Sequence, residues 1–104
     1  MKKILNDPFT YAEETVRGLC RAYPVYYRLV EGTTRVVARA DGPVQGKVGI
    51  VTGGGSGHLP VFTGYVGPGL LDACASGDVF ASPSAEEMVT AIRAANGGAG
   101  VLRL

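Results

Sequence analysis

An apolar run that opens straight into glycine constrains this chain more than any other feature. Lys47 to Thr52, centred on Val48-Gly49-Ile50-Val51, has the continuous apolar character of an interior strand. Gly53-Gly54-Gly55-Ser56-Gly57-His58 follows at once. Glycine after a strand lets the backbone take positive φ angles and lets main-chain N–H groups approach a ligand with no Cβ in the way. Several N–H groups turned one way form a nest for an oxygen-rich or anionic ligand, and a helix starting just beyond would add its N-terminal field. Glycine makes up 16 of the 104 residues, clustered at 53–57, 64–69 and 97–100. The clusters separate apolar runs without a fixed period, which excludes collagen and repeat arrays and fits the turns of an α/β domain.

The rest of the chain supplies elements to pack around that strand. Residues 7–23 read as a helix, with Asp7 as N-cap, Pro8 at the first position, and Ala12, Val16, Leu19, Cys20 and Tyr23 on one face. Pro24 ends it. Residues 25–32 have strand-like composition but also fit an irregular crossover, whereas Thr33 to Ala40 is a better strand, closed by the turn Asp41-Gly42-Pro43. A short helix fits residues 59–66, with Pro60 in its first turn, and short strands fit Leu70–Ala75 and Val79–Ala81. Ser84 to Ala95 is the clearest helix: Ser84 and Glu87 have capping-box spacing, Met88, Ile92 and Ala95 mark its inner face, and Asn96-Gly97-Gly98 stops it. Gly100 to Leu104 begins a further apolar strand. The predicted fold class is α/β, a layered mixed or parallel sheet with flanking helices.

Two phosphate motifs fail on inspection. A P-loop needs Lys and then Ser or Thr after its last glycine, but His58 and Leu59 follow Gly57. A GxGxxG fingerprint started at Gly53, Gly55 or Gly67 meets His58, Pro60 or Asp72 where glycine is required. His58 is the one histidine of the chain. It either caps a turn or, from its place beside the glycine loop, acts as a general base toward a bound hydroxyl. Ser56 is either a loop hydrogen-bonder or a nucleophile, but the hydrolase elbow lacks its fifth-place glycine and no second histidine exists to serve a triad. Asp72, Asp78, Glu86 and Glu87 are too scattered to propose a metal site, and the last two fit compensation of a helix dipole.

Composition excludes other classes. With 46% hydrophobic and 18% charged residues the chain is no disordered segment, and 10 basic against 9 acidic residues argues against a nucleic-acid surface or an anionic-membrane patch. Cys20 and Cys74 show no CxxC spacing and read as two small buried thiols in a reducing cytosol. Asn6, Asp7 and Pro8 interrupt any signal-peptide core after Lys2 and Lys3, and no run reaches the ~18 apolar residues of a membrane helix, so the expected location is cytoplasmic.

Taken in order, several segments resemble the substrate-binding subunit or domain of the dihydroxyacetone kinase (DhaK-type) family. The strand and Gly53–His58 look like its signature. Met1–Asp7, Arg39–Val48, Gly64–Leu71, Val79–Ser84 and Gly97–Leu102 are similar to flanking family segments. The resemblance implies a domain that binds a small ketose for phosphorylation of a terminal hydroxyl. Gly55, Ser56, Gly57 and His58 would contact the ketose, His58 would be the catalytic base, and Ser82 would line the same pocket. It implies no cofactor bound by this segment. ATP-Mg or a phosphotransferase-system donor would act through a nucleotide-binding (DhaL-type) domain or other subunit. The family holds its ketose covalently through a second histidine in a later domain, and its lysine and aspartate follow the last strand seen here. Residues 1–104 are therefore expected to be the incomplete N-terminal portion of a larger domain, inactive alone and homo-oligomeric at full length. Leu59, where the family often has Glu, makes Leu59–Thr63 look like the branch acting on four-carbon ketoses such as erythrulose. The competing reading is a small non-catalytic module that captures a polyol or anion in the glycine-loop nest.

Overall fold

A computed structural model describes residues 2–58 and 62–104. Helix α1 (Tyr11–Ala22) is preceded by a 3₁₀ turn, Pro8–Thr10, and helix α2 spans Ala85–Ala95. The strands are β1 (Tyr27–Leu29), β2 (Val36–Arg39), β3 (Gly49–Gly54), β4 (Ala73–Ser76) and β5 (Val101–Arg103). They form one sheet in the order β1-β2-β4-β3-β5. Strands β1, β2 and β4 pair antiparallel, while β3 runs parallel to both β4 and β5, so the sheet is mixed.

The layers follow from strand alternation, since successive side chains point to opposite faces. Val36 and Ala38 of β2, Val51 of β3, and Ala73 and Ala75 of β4 point to one face and pack under Ala91 and Ala95 of α2, with Met88 and Ile92 at the margin. Val37 and Cys74 point to the other face and pack with Val16 of α1, Val66 and Leu71. The result is an α/β/α arrangement with β4 buried along its whole length.

Local signals mostly act as expected. Asp7 Oδ1 accepts from the Phe9 N–H at 2.9 Å, although the first turn it caps is 3₁₀ rather than α. Both halves of the capping box form: Ser84 Oγ accepts from the Glu87 N–H at 3.1 Å, and Glu87 Oε2 accepts from the Ser84 N–H at 3.0 Å. Of the two expected buried thiols, Cys74 is fully enclosed and burial pushes it up to about 12, whereas Cys20 is only half-buried. Residues 25–32 contain a true strand, β1. Val79–Ala81 does not form the expected strand. It is a turn in which Phe80 takes φ +59°, a left-handed conformation that cannot extend a ladder. The strand expected at Leu70–Ala75 starts only at Ala73, because Leu70 and Leu71 fold back toward 65–67. The helix expected at 59–66 is a 3₁₀ turn at Thr63–Tyr65, and Leu59, Pro60 and Val61 lie outside the described residues. Val48, expected in the buried strand, precedes β3 and is exposed. No helix among the described residues is long and apolar enough to cross a membrane.

The N-terminal ends of β3 and β4 are tied by one carboxylate. Asp72 is buried, and its Oδ2 accepts from Lys47 Nζ at 2.6 Å and from the Ile50 N–H at 2.8 Å, while its Oδ1 accepts from Arg39 Nη1 at 3.2 Å. Arg39 also grips Asp41 with two bonds of 2.9 and 3.0 Å. Burial alone would raise the Asp72 carboxyl, but the Lys47 ammonium, the Ile50 amide and the Arg39 guanidinium outweigh it and hold it below its ordinary value of 3.8. A carboxyl depressed in the folded state stabilises the fold above its unfolded value and loses that contribution as pH falls through the folded one. Asp72→Asn is therefore expected to lower unfolding free energy by about 2 kcal/mol at neutral pH, because buried Arg39, which keeps Asp41, and partly exposed Lys47 lose a shared counter-charge. In denaturant melts across pH, the gap between variant and parent should close on acidification below the ordinary carboxylate value.

Candidate functional site

The site is built at the opposite, C-terminal end of the parallel pair. The glycine run starts inside β3: Gly53 and Gly54 pair with Ala75 and Ser76 of β4, and only Gly55 to His58 leave the ladder, the last three as a 3₁₀ turn. Contrary to the expectation from glycine content, none of Gly53, Gly54, Gly55 and Gly57 has a positive φ. Their value is absence of bulk. A Cβ on Gly54 would collide with the Phe62 ring, and one on Gly57 would lie 3.0 Å from Phe80 Cε1 and 3.2 Å from Val79 Cγ1.

The amide nest is half consumed. The Ser56 N–H donates to Asp78 O at 3.0 Å, and the His58 N–H donates to Gly55 O at 3.2 Å. Among the described residues, no backbone acceptor is recorded for the N–H of Gly55 or Gly57. Ser56 is buried, with its Oγ enclosed and without a partner among the described residues. Ser56 thus anchors the loop through its backbone and turns its hydroxyl inward. His58 is exposed at the loop's end. Its imidazole meets Phe62 edge-on at a centroid distance of 6.1 Å and Phe80 at 6.0 Å.

The 77–81 turn is the loop's template. Besides Asp78 O, it presents Ala81 N and O to Gly55, where a Cβ would be 3.1 to 3.2 Å away. Arg35 holds this turn from behind: its Nη2 donates to Asp78 Oδ1 at 2.7 Å, and its carbonyl accepts from the Ser76 N–H at 2.7 Å. Arg35 also faces Glu13 of α1 at 3.7 Å, close enough for charge attraction but too long for a hydrogen bond. Ser82 is exposed in the segment that follows the turn.

The structure therefore brings Gly55, Ser56, Gly57 and His58 together against one turn. Phe62, Phe80 and Arg35 were not singled out from sequence, and Asp78 was weighed only as a metal ligand. Phe80 stood in a quoted segment, but its left-handed backbone, which costs about 1–3 kcal/mol in a non-glycine residue, has no sequence signature. Among the described residues, no cluster of three or more His, Cys, Asp or Glu side chains could hold a metal ion.

A layered α/β sheet with a loop leaving the carboxyl ends of its parallel strands places this chain among the α/β domains, whose ligand loops commonly leave that edge. The chain belongs to the Dak1 domain family, which matches it over residues 17–104. It is 51% identical over 102 residues to the dihydroxyacetone-binding subunit DhaK of PTS-dependent dihydroxyacetone kinase 1 of Listeria innocua, covering 98% of this chain and 30% of that protein. It is 46% identical over 102 residues to the D-erythrulose kinase of Mycolicibacterium smegmatis, covering 98% of this chain and 17% of that one. The dihydroxyacetone kinase from C. freundii, solved in complex with AMP-PNP and Mg2+, superposes with a TM-score of 0.88 at 36% identity, over 98% of this chain and 19% of that chain. This chain spans less than a third of the length of these relatives.

The steric role of the loop glycines has a direct consequence. Gly54→Ala should push the Phe62 ring out of place and cost about 1–3 kcal/mol, the usual cost of overpacking a filled site. A thermal melt of this variant against the parent measures that loss.

Proposed function

We propose that this chain supplies the ketose-binding glycine loop of a Dak1-type ketose kinase. The observation that carries the reading is the position of His58. The one imidazole of the chain stands exposed at the exit of a central parallel strand, within a segment of the Dak1 match, beside the Gly55 and Gly57 amides. The ketose lies against Gly55, Gly57 and His58, and Ser56 keeps the loop in register. The Gly55 and Gly57 N–H groups donate to substrate oxygens. His58 accepts the proton of the terminal hydroxyl as that oxygen attacks phosphorus, so the new O–P bond forms while the donor's bond to the phosphoryl group breaks. The phosphoryl donor, ATP-Mg or a phosphotransferase-system protein, is carried by another domain or subunit. Dihydroxyacetone and four-carbon ketoses such as erythrulose are both within the substrate class, as the names of the relatives support. A purely anion-capturing module is the weaker alternative, because two of the four loop amides at 55–58 are already bonded within the protein.

In the protein assembled with its phosphoryl donor, His58→Ala should lower turnover of dihydroxyacetone or erythrulose by at least about 10²-fold, the usual loss on removing a general base. Turnover within a few-fold of the parent would remove His58 from the catalytic role. Independently, the single histidine gives an unambiguous NMR reporter, and millimolar ketose should shift its Hε1 resonance. Failure of either ketose to move that signal would count against binding at the loop.

A further inference from the structure

We infer that Phe80 is a positioning residue for His58 and a wall of the ketose cleft, an inference that rests on the ketose-kinase reading above. Two features that stability alone would not select coincide at this position. Phe80 is the one non-glycine residue with positive φ, +59°, among the described residues, and its aromatic side chain is 80% exposed. Asparagine or glycine would occupy that backbone with less strain, and a polar side chain would suit that exposure. The exposed ring nevertheless meets the His58 imidazole edge-on, at 6.0 Å with an interplanar angle of 75°, as Phe62 does at 6.1 Å.

The surroundings are shaped to keep it there. Gly57 leaves open the volume that the Phe80 ring edge occupies, and Gly55 leaves room for the backbone of Asp78 and Ala81 on either side of the aromatic residue. The turn is bonded to Ser56 through Asp78 O and to β2's approach through the Arg35–Asp78 ion pair. The left-handed backbone thus aims the ring at the imidazole, and the turn cannot drift without breaking those bonds. Edge-on contact with both rings restricts the tilt of the imidazole, and with it the direction of the nitrogen that takes the proton. The remaining exposed face of Phe80 is suited to the carbon skeleton of a short ketose, whose hydroxyls point elsewhere.

The test compares Phe80→Gly, Phe80→Leu and Phe80→Tyr with the parent and with His58→Ala, using erythrulose and dihydroxyacetone and the protein assembled with its phosphoryl donor. Phe80→Gly accepts the positive φ without strain, so its melting temperature should not fall below the parent's. Phe80→Leu keeps an apolar side chain of similar reach without an aromatic ring, so it tests the ring even where the glycine variant loosens the turn. Both should lower kcat about 10-fold, the scale of a misdirected catalytic group. Both should also move the His58 Hε1 resonance away from its ring-shifted position. Phe80→Tyr restores the ring and should recover most of the turnover together with the parent resonance. If His58→Ala abolishes turnover while the glycine and leucine variants keep the parent's kcat and Hε1 position, the inference about Phe80 falls and the ketose-kinase reading stands. If His58→Ala itself leaves turnover intact, both fall.

Discussion

Strand β4 is the member on which the remaining structure depends. Its four residues, Ala73-Cys74-Ala75-Ser76, are buried without exception, antiparallel to β2 on one edge and parallel to β3 on the other. Small side chains are required here. Ala73 and Ala75 lie under Ala91 and Ala95, so alanine faces alanine where α2 crosses the sheet, and Cys74 fills the opposite face against α1. Larger residues would lift the helices away from the sheet, and smaller ones would leave cavities that a domain of this size can ill tolerate.

The two ends of that parallel pair do different work. At the N-terminal end, Asp72 gathers Lys47, Arg39 and the Ile50 amide, so fixed charge in the interior is matched group by group. At the C-terminal end the Gly77 N–H donates to Gly54 O at 2.8 Å, holding together the points where the glycine loop and its template turn leave the sheet. The mouth is then built from main-chain groups and aromatic edges, with the Arg35–Asp78 pair behind it.

Patterns governed by neighbours in sequence were legible from sequence. The capping box at Ser84 and Glu87, the inner face of α2, the Asp7 cap and a strand feeding glycine all depend on residues close in sequence and all are present, although only Gly49 and Val51 of that strand are buried. The mixed sheet was one of two arrangements open to the sequence, because the direction of β2 against β4 rests on contacts more than 30 residues apart. Phe80 was misassigned for the same reason. Val79-Phe80-Ala81 has strand composition, but the Ala81 N–H bonds back to Asp78 O at 3.1 Å, and the bonds from Ser56 and Arg35 to Asp78 hold that turn in place. Leu59, on which the four-carbon branch was read, lies outside the described residues. The glycines were read as a source of conformational freedom, but their φ angles are ones any residue can adopt, and the requirement for glycine comes from side chains 8 and 23 residues away, Phe62 over Gly54 and Phe80 over Gly57.

That distinction changes what the loop is. A run of glycines free to take left-handed angles would be a mobile cradle that orders around its ligand at an entropic cost. Glycines held by close contact make a rigid one, since each missing Cβ is replaced by a neighbour's ring or backbone rather than by space. Two amides, those of Ser56 and His58, are then spent on hydrogen bonds within the protein. Two donors and one directed imidazole are a poor trap for a phosphate, which has more oxygens than they can serve. In the function proposed above, they would serve a short polyol with one hydroxyl to be deprotonated and another to be held. Rigidity matters most for that task, because a base aimed before the substrate arrives need not be ordered at the moment of reaction.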